Sequence, residues 1–181
     1  YNAGTAINDE EAEGSVLIGH EAGSTITQGQ ANVGIGYQSL TGASGTGTDF
    51  NVAVGYQSAK TISGNSNGNV VVGYQAMETA SECDRNTVIG YRAFANASSG
   101  EDGNIVIGYG AGSAIRNGDS DENVIIGFEA GTGATGGAII QSVAIGAFAL
   151  NSTAGNSVTG TVAVGHKTLT DVTTGASNTA I

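Results

Sequence analysis

Asp84, Asp102 and Asp121 offer the most concentrated chemistry in this sequence. They occupy one position of a recurring pattern, which Glu13 and Asp49 also fill earlier in the chain, and Glu11, Glu82, Glu101 or Asp119 stand close by. Carboxylates stacked along one edge repel one another unless they are hydrated, screened or bridged, and a hard cation such as Ca²⁺ bridges oxygen ligands well. A solvated acidic edge is the preferred interpretation, with Ca²⁺ held by Asp84, Asp102 and Asp121 as the alternative. Such an edge also discourages lateral pairing between neighbouring molecules. The other reactive groups assemble into nothing recognisable. His20 and His166 are far apart and share no carboxylate–His–Ser arrangement. The Gly-rich segment 131–137 lacks the Lys-Ser/Thr ending and following helix of a phosphate loop. A single cysteine, Cys83, excludes an internal disulfide and any Cys-based metal site, and it reads as a small loop residue. The expectation is a chain with no catalytic residues and no cofactor, hence not an enzyme.

The composition narrows the class of partner. With 5 Lys and Arg against 16 Asp and Glu, a net charge of -11 disfavours nucleic acid and anionic membranes. No apolar run approaches the ~20 residues of a membrane span, so membrane insertion is not expected. Proline is absent and Gly reaches 31, yet 39% of residues are hydrophobic and the β-branched ones recur at fixed places. That pattern belongs to an ordered, repetitive β structure rather than a disordered chain.

What must position these side chains is a repeat. Asn51-Val52-Ala53-Val54-Gly55-Tyr56-Gln57-Ser58 is echoed from Asn32, Asn69 and Asn86, and more loosely from Ser15, Asn104, Asn123, Ser142 and Thr161. Taking the glycine as marker gives Gly19, Gly36, Gly55, Gly73, Gly90, Gly108, Gly127, Gly146 and Gly165, spaced 17 to 19 residues apart. Residues 1–181 therefore form a single repeat array that begins and ends within a repeat. We expect either an excerpt of a longer array or a unit that stacks end to end.

The columns of the alignment carry the physics. Three residues before the marker stand Val16, Val33, Val52, Val70, Thr87, Ile105, Val124, Val143 and Val162; one residue before it stand Ile18, Ile35, Val54, Val72, Ile89, Ile107, Ile126, Ile145 and Val164. Residues two apart in a strand share a face, and β-branching suits a pleated surface. This β-branched column is expected inside the coil. The smaller column between them (Leu17, Gly34, Ala53, Val71, Val88, Val106, Ile125, Ala144, Ala163) is expected to face a partner chain together with the glycine. Directly after the marker, one column holds all six tyrosines together with His20, Phe128, Ala147 and His166. It predicts a ring ladder through Tyr37, Tyr56, Tyr74, Tyr91, Tyr109 and Phe128 at ~4.8 Å spacing. Seven residues after the marker, Ile7, Ile26, Ala43, Ile62, Ala80, Ala97, Ile115, Ala134 and Val172 suggest a second, shorter strand. The Asn four residues before the marker ends the turn, and a stacked Asn ladder is compatible with it. The fold expected is all-β: a parallel β-solenoid or β-roll of about ten coils of 17–19 residues, roughly 45 Å long.

The Asn-x-x-Ile/Val-Gly-Tyr-Gln/Arg-Ser/Ala pattern resembles repeats of bacteriophage tail-fibre and tail-spike proteins. It is similar also to head repeats of trimeric autotransporter adhesins, which are left-handed parallel β-rolls; Ser142–Gly146 echoes their Ser-Val-Ala-Ile-Gly core. The adhesin repeat is shorter and lacks the Tyr-Gln continuation, which favours the viral family. What the resemblance implies is a homotrimer of parallel coils in an extracellular fibre of a virion, either presenting or forming a host-receptor-binding surface. Its partners would be copies of itself and a host cell-surface glycan or protein. The alternative is a bacterial cell-surface adhesin head or a self-stacking extracellular filament subunit.

Overall fold

Each repeat folds into one coil of a parallel β-solenoid. The computed structural model describes residues 1–7, 13–44, 47–132, 136–153, 155–172 and 175–181. Its strands are short: β1 (Val16–Ile18), β2 (Val33–Ile35), β3 (Val52–Val54), β4 (Val70–Val72), β5 (Thr87–Ile89), β6 (Ile105–Ile107), β7 (Val124–Ile126), β8 (Ile139–Ile140), β9 (Val143–Ile145), β10 (Val158–Thr159), β11 (Val162–Val164) and β12 (Thr179–Ala180). Ten of them form one parallel sheet in chain order, while β8 and β10 pair separately. Register is constant: Val16 lies opposite Val33, Val33 opposite Val52, and Val52 opposite Val70. Every strand residue of the main sheet therefore stacks on its own equivalent, and differences in repeat length are absorbed in the loops. In the main sheet the strands from β1 to β11 are as long as the β-branched segment allows, because the marker glycine follows each one. Beyond it the coil-to-coil bonding continues through turns, where the Gln57, Gln75 and Arg92 amides donate to the Tyr37, Tyr56 and Tyr74 carbonyls at 2.8–2.9 Å.

The structure inverts the expected inside and outside of the strand. The small middle column is the interior one: Ala53, Val71, Val88, Val106, Ile125 and Ala163 are fully buried. The flanking β-branched residues point outward, and Val70, Ile89 and Ile105 remain 38–39% exposed. The reason is parity. Asn51 and its equivalents are buried to serve interior hydrogen bonds, and the residue two positions later must share that face. Bulk is a poor guide here, because the narrow interior is filled from several sides. Ala22, Ala76, Ala93 and Ala111 occupy it three residues after the marker, and Leu40, Met77, Phe94 and Leu150 four residues after.

The column seven residues after the marker is also interior, with Ile26, Ile62, Ala80 and Ala97 fully buried. It is not a strand, however. The amides of Ile26, Ala43 and Ile62 close turns onto the carbonyls of Gly23, Leu40 and Ala59. Ile7 is half-exposed at the end of the rod, and Ala134 lies outside the described residues. The second sheet forms elsewhere, from β8 and β10 just ahead of β9 and β11.

Candidate functional site

Four ladders run along the rod, and each has a definite chemical job. The innermost is asparagine. Asn32, Asn51, Asn69, Asn86, Asn104 and Asn123 are buried to within 1%. The Asn69 Nδ2 donates to Asn51 Oδ1 at 2.9 Å and to the Cys83 carbonyl at 2.6 Å. Its own Oδ1 accepts from the backbone and side-chain amides of Asn86 at 3.0 and 3.1 Å. The same set recurs one coil later at Asn86 and Asn104. An amide side chain can both donate and accept, so it satisfies interior backbone groups that an apolar residue would leave unpaired. Ser142 takes over at the top of the ladder, accepting from the Thr161 amide at 3.1 Å.

The marker glycines form the second ladder. At Gly73, with φ +144°, an added Cβ would lie 2.3 Å from the Gly90 carbonyl oxygen, and Gly36, Gly55 and Gly108 meet the same obstruction. Side-chain absence is thus a condition of coil spacing, as well as of the left-handed backbone.

The aromatic ladder forms as expected in its central part and departs at both ends. Rings from Tyr37 through Tyr56, Tyr74, Tyr91 and Tyr109 to Phe128 stack at 4.9–5.2 Å with interplanar angles of 6–11°. His20 extends the stack at 5.3 Å and 12°. Tyr1 meets His20 edge-on. Above Phe128 the column holds Ala147, and Phe148 from the next position turns in edge-on at 69°, followed by His166 at 70°. The stacked tyrosines are 40–51% exposed, so the ladder lies on the outer surface beside the outward valines and isoleucines. Each contact is worth about 1 kcal/mol.

The acidic edge is the fourth ladder, and its carboxylates are already employed. The Oδ1 atoms of Asp84, Asp102 and Asp121 accept the backbone amides of Asn67, Asp84 and Asp102, each one coil earlier, at 2.7–2.8 Å. Asp49 does the same for Gln30, while Asn67 fills the position with an amide oxygen for Asp49. Among the described residues no group of three or more His, Cys, Asp or Glu comes together to hold a metal. Arg85 approaches Asp102 at 3.6 Å beside a shallow groove reaching Asp121 and Glu122. Burial first, then the negative charges of Asp102, Asp119 and Glu122, push the Asp121 carboxyl above its ordinary range, against the pull of the Asp102 amide. Glu11 lies outside the described residues. Glu101 turns inward instead, fully buried, and accepts from the Ser98 amide and hydroxyl.

Cys83 lies in a loop, as its reading as a small loop residue expected, and its side chain is buried in the core 3.5 Å from Glu101. Burial, with the neighbouring Glu101 charge, pushes the thiol up to about 12.

Sequence reasoning missed a fifth, shorter ladder two residues after the marker. Gln75 donates to Gln57 at 3.0 Å, Gln57 to Gln38 at 2.8 Å, and Gln38 to Glu21 at 2.7 Å. The repetition of Gln38, Gln57 and Gln75 was its visible signal.

The class of protein that these features define is a parallel β-solenoid whose like residues stack coil on coil. Compared with known protein families, curated proteins and solved structures, the chain matches none.

Proposed function

We propose that this chain is a structural, non-enzymatic segment of an extracellular fibre, of the phage tail-fibre or tail-spike kind, assembled as a homotrimer and carrying a host-binding surface. The observation that supports it best is the outward face of the ten-stranded sheet. Val16, Ile18, Val70, Ile89 and Ile105 lie exposed there, in line along the rod. Taken along the rod this is a continuous apolar stripe, of a kind that a monomer rarely exposes. Its features repeat with the pitch of the coils, so the partner best matched to it along its whole length is another rod of the same pitch. A cyclic axis parallel to the rods keeps the coils level with one another; the number three comes from the family resemblance. A stiff trimer would hold its binding surface away from the particle and multiply weak contacts through avidity.

Replacing Val52, Val70 and Val143 together with Asp tests the assembly separately from the coil, because these side chains point outward. Sedimentation should find a trimer for the parent and a β-rich monomer for the variant. A parent that sediments as a monomer, or a variant that remains trimeric, refutes the proposal.

A further inference from the structure

The position two residues after the marker bears a side chain in every coil but one. Its occupants run Glu21, Gln38, Gln57, Gln75, Arg92, Gly110, Glu129, Phe148 and Lys167. At Gly110 the column is interrupted, and the structure has a notch there of about 320 Å³. Its lining includes Gly110, Arg92 from the coil below, Glu129 from the coil above, and Tyr91, Tyr109 and Ser113. Among the described residues, neither Arg92 nor Glu129 enters an ion pair. Two unlike charges therefore line the notch without pairing.

We infer that this notch is a glycan-binding subsite that takes one pyranose unit. The size is suitable, since small-ligand sites begin at about 300 Å³. Arg92 and Glu129 belong to the coils on either side of the Gly110 coil, and both line the notch. Hydroxyl groups donate and accept at once, so one sugar can accept from a guanidinium and donate to a carboxylate. Tyr91 and Tyr109 are stacked at 4.9 Å, which covers their faces. They offer the ligand ring edges and phenol groups, which suits the polar rim of a sugar better than a flat apolar molecule. The lining falls at the marker-plus-one, plus-two, plus-five and plus-six positions, on the turn that follows each strand. The inference rests on the fibre proposal only for the source of the sugar, a host-surface glycan.

Gly110→Gln is the informative variant. It completes the ladder as Gln38, Gln57 and Gln75 do, in a left-handed conformation (φ 50–53°) close to that of Gly110 (φ 63°). The added Cβ comes no nearer than 3.4 Å, to the Glu129 side chain, so the coil has room for it. Saturation-transfer NMR with a panel of methyl pyranosides (hexose, N-acetylhexosamine and hexuronic acid) should give binding to the parent protein and none to G110Q. R92Q and E129Q, surface changes outside the core, should each weaken binding about tenfold. The inference is overturned if no pyranoside binds the parent, if G110Q binds as well as the parent, or if a free amino acid binds where no sugar does. Sedimentation of the same samples separates the two proposals. A monomer that binds sugar in the notch refutes the trimeric fibre and upholds the subsite; a trimer that binds none does the reverse.

Discussion

Asn69→Ala should destabilise the coil stack by about 4 kcal/mol, because it orphans two interior backbone groups at about 1–3 kcal/mol each. The two are the Cys83 carbonyl, which accepts from Asn69 Nδ2, and the Asn86 amide, which donates to Asn69 Oδ1. Asn51 Oδ1 keeps a partner, since the Asn69 backbone amide still reaches it at 3.0 Å. Asn86 Nδ2 likewise retains the Glu101 carbonyl. Asn69→Ser provides an internal control, for Ser142 shows that a hydroxyl at this position still accepts the amide of the next coil. It should cost about half as much, through the one carbonyl that it cannot reach. Urea unfolding followed by circular dichroism, at equal protomer concentration, measures both. A loss below about 1 kcal/mol for the alanine variant, or an equal loss for serine and alanine, refutes the ladder as the source of interior stability.

Gly73→Ala should cost more than about 3 kcal/mol or prevent folding, because a left-handed residue and a backbone clash coincide; Gly68→Ala, with open space around its Cβ and φ +66°, should cost about 1 kcal/mol. Circular dichroism melts rank the pair, and an equal cost would show that coil spacing yields easily. Asp121→Asn should raise the unfolding midpoint at pH 7, since Asn67 demonstrates that an amide oxygen serves the same backbone partner. A carboxyl held above its ordinary value favours the fold below 3.8 and opposes it as pH rises through the native value, so the gain should vanish towards low pH. A destabilised variant at pH 7 contradicts this, and would revive a cation bridging the acidic edge. The Cys83 thiol, raised from 9.0 to about 12, contributes stability that is complete below pH 9 and lost between those values. The difference in stability between the parent and Cys83→Ala should shrink across that window, and a constant difference would place the thiol in a wetter site.

The candidate surface was partly legible before the fold. Six tyrosines in one column sufficed to predict the stacked rings, because parallel coils in constant register bring equivalent residues together. The departure at Phe148 was not legible: Ala147 leaves a gap, and the ring from the adjacent position fills it by turning edge-on. The roles of the aspartates could not be read from charge alone either. Asp84, Asp102 and Asp121 accept backbone amides one coil away, a relation visible only once the loops are stacked.

The periodicity of the chain by itself determined an all-β solenoid, the location of the strands of its main sheet and most of the residues that stack, since a fixed repeat brings each strand residue against its own equivalent. Only the tertiary structure decided which face of the strand looks inward. Both faces are apolar, so hydrophobicity does not discriminate, and the choice falls to the buried asparagines, whose hydrogen-bonding needs orient every second residue with them. The same decision turned the valines, isoleucines and tyrosines outward, and the missing side chain at Gly110 became a notch only because the coils above and below it carry Glu129 and Arg92.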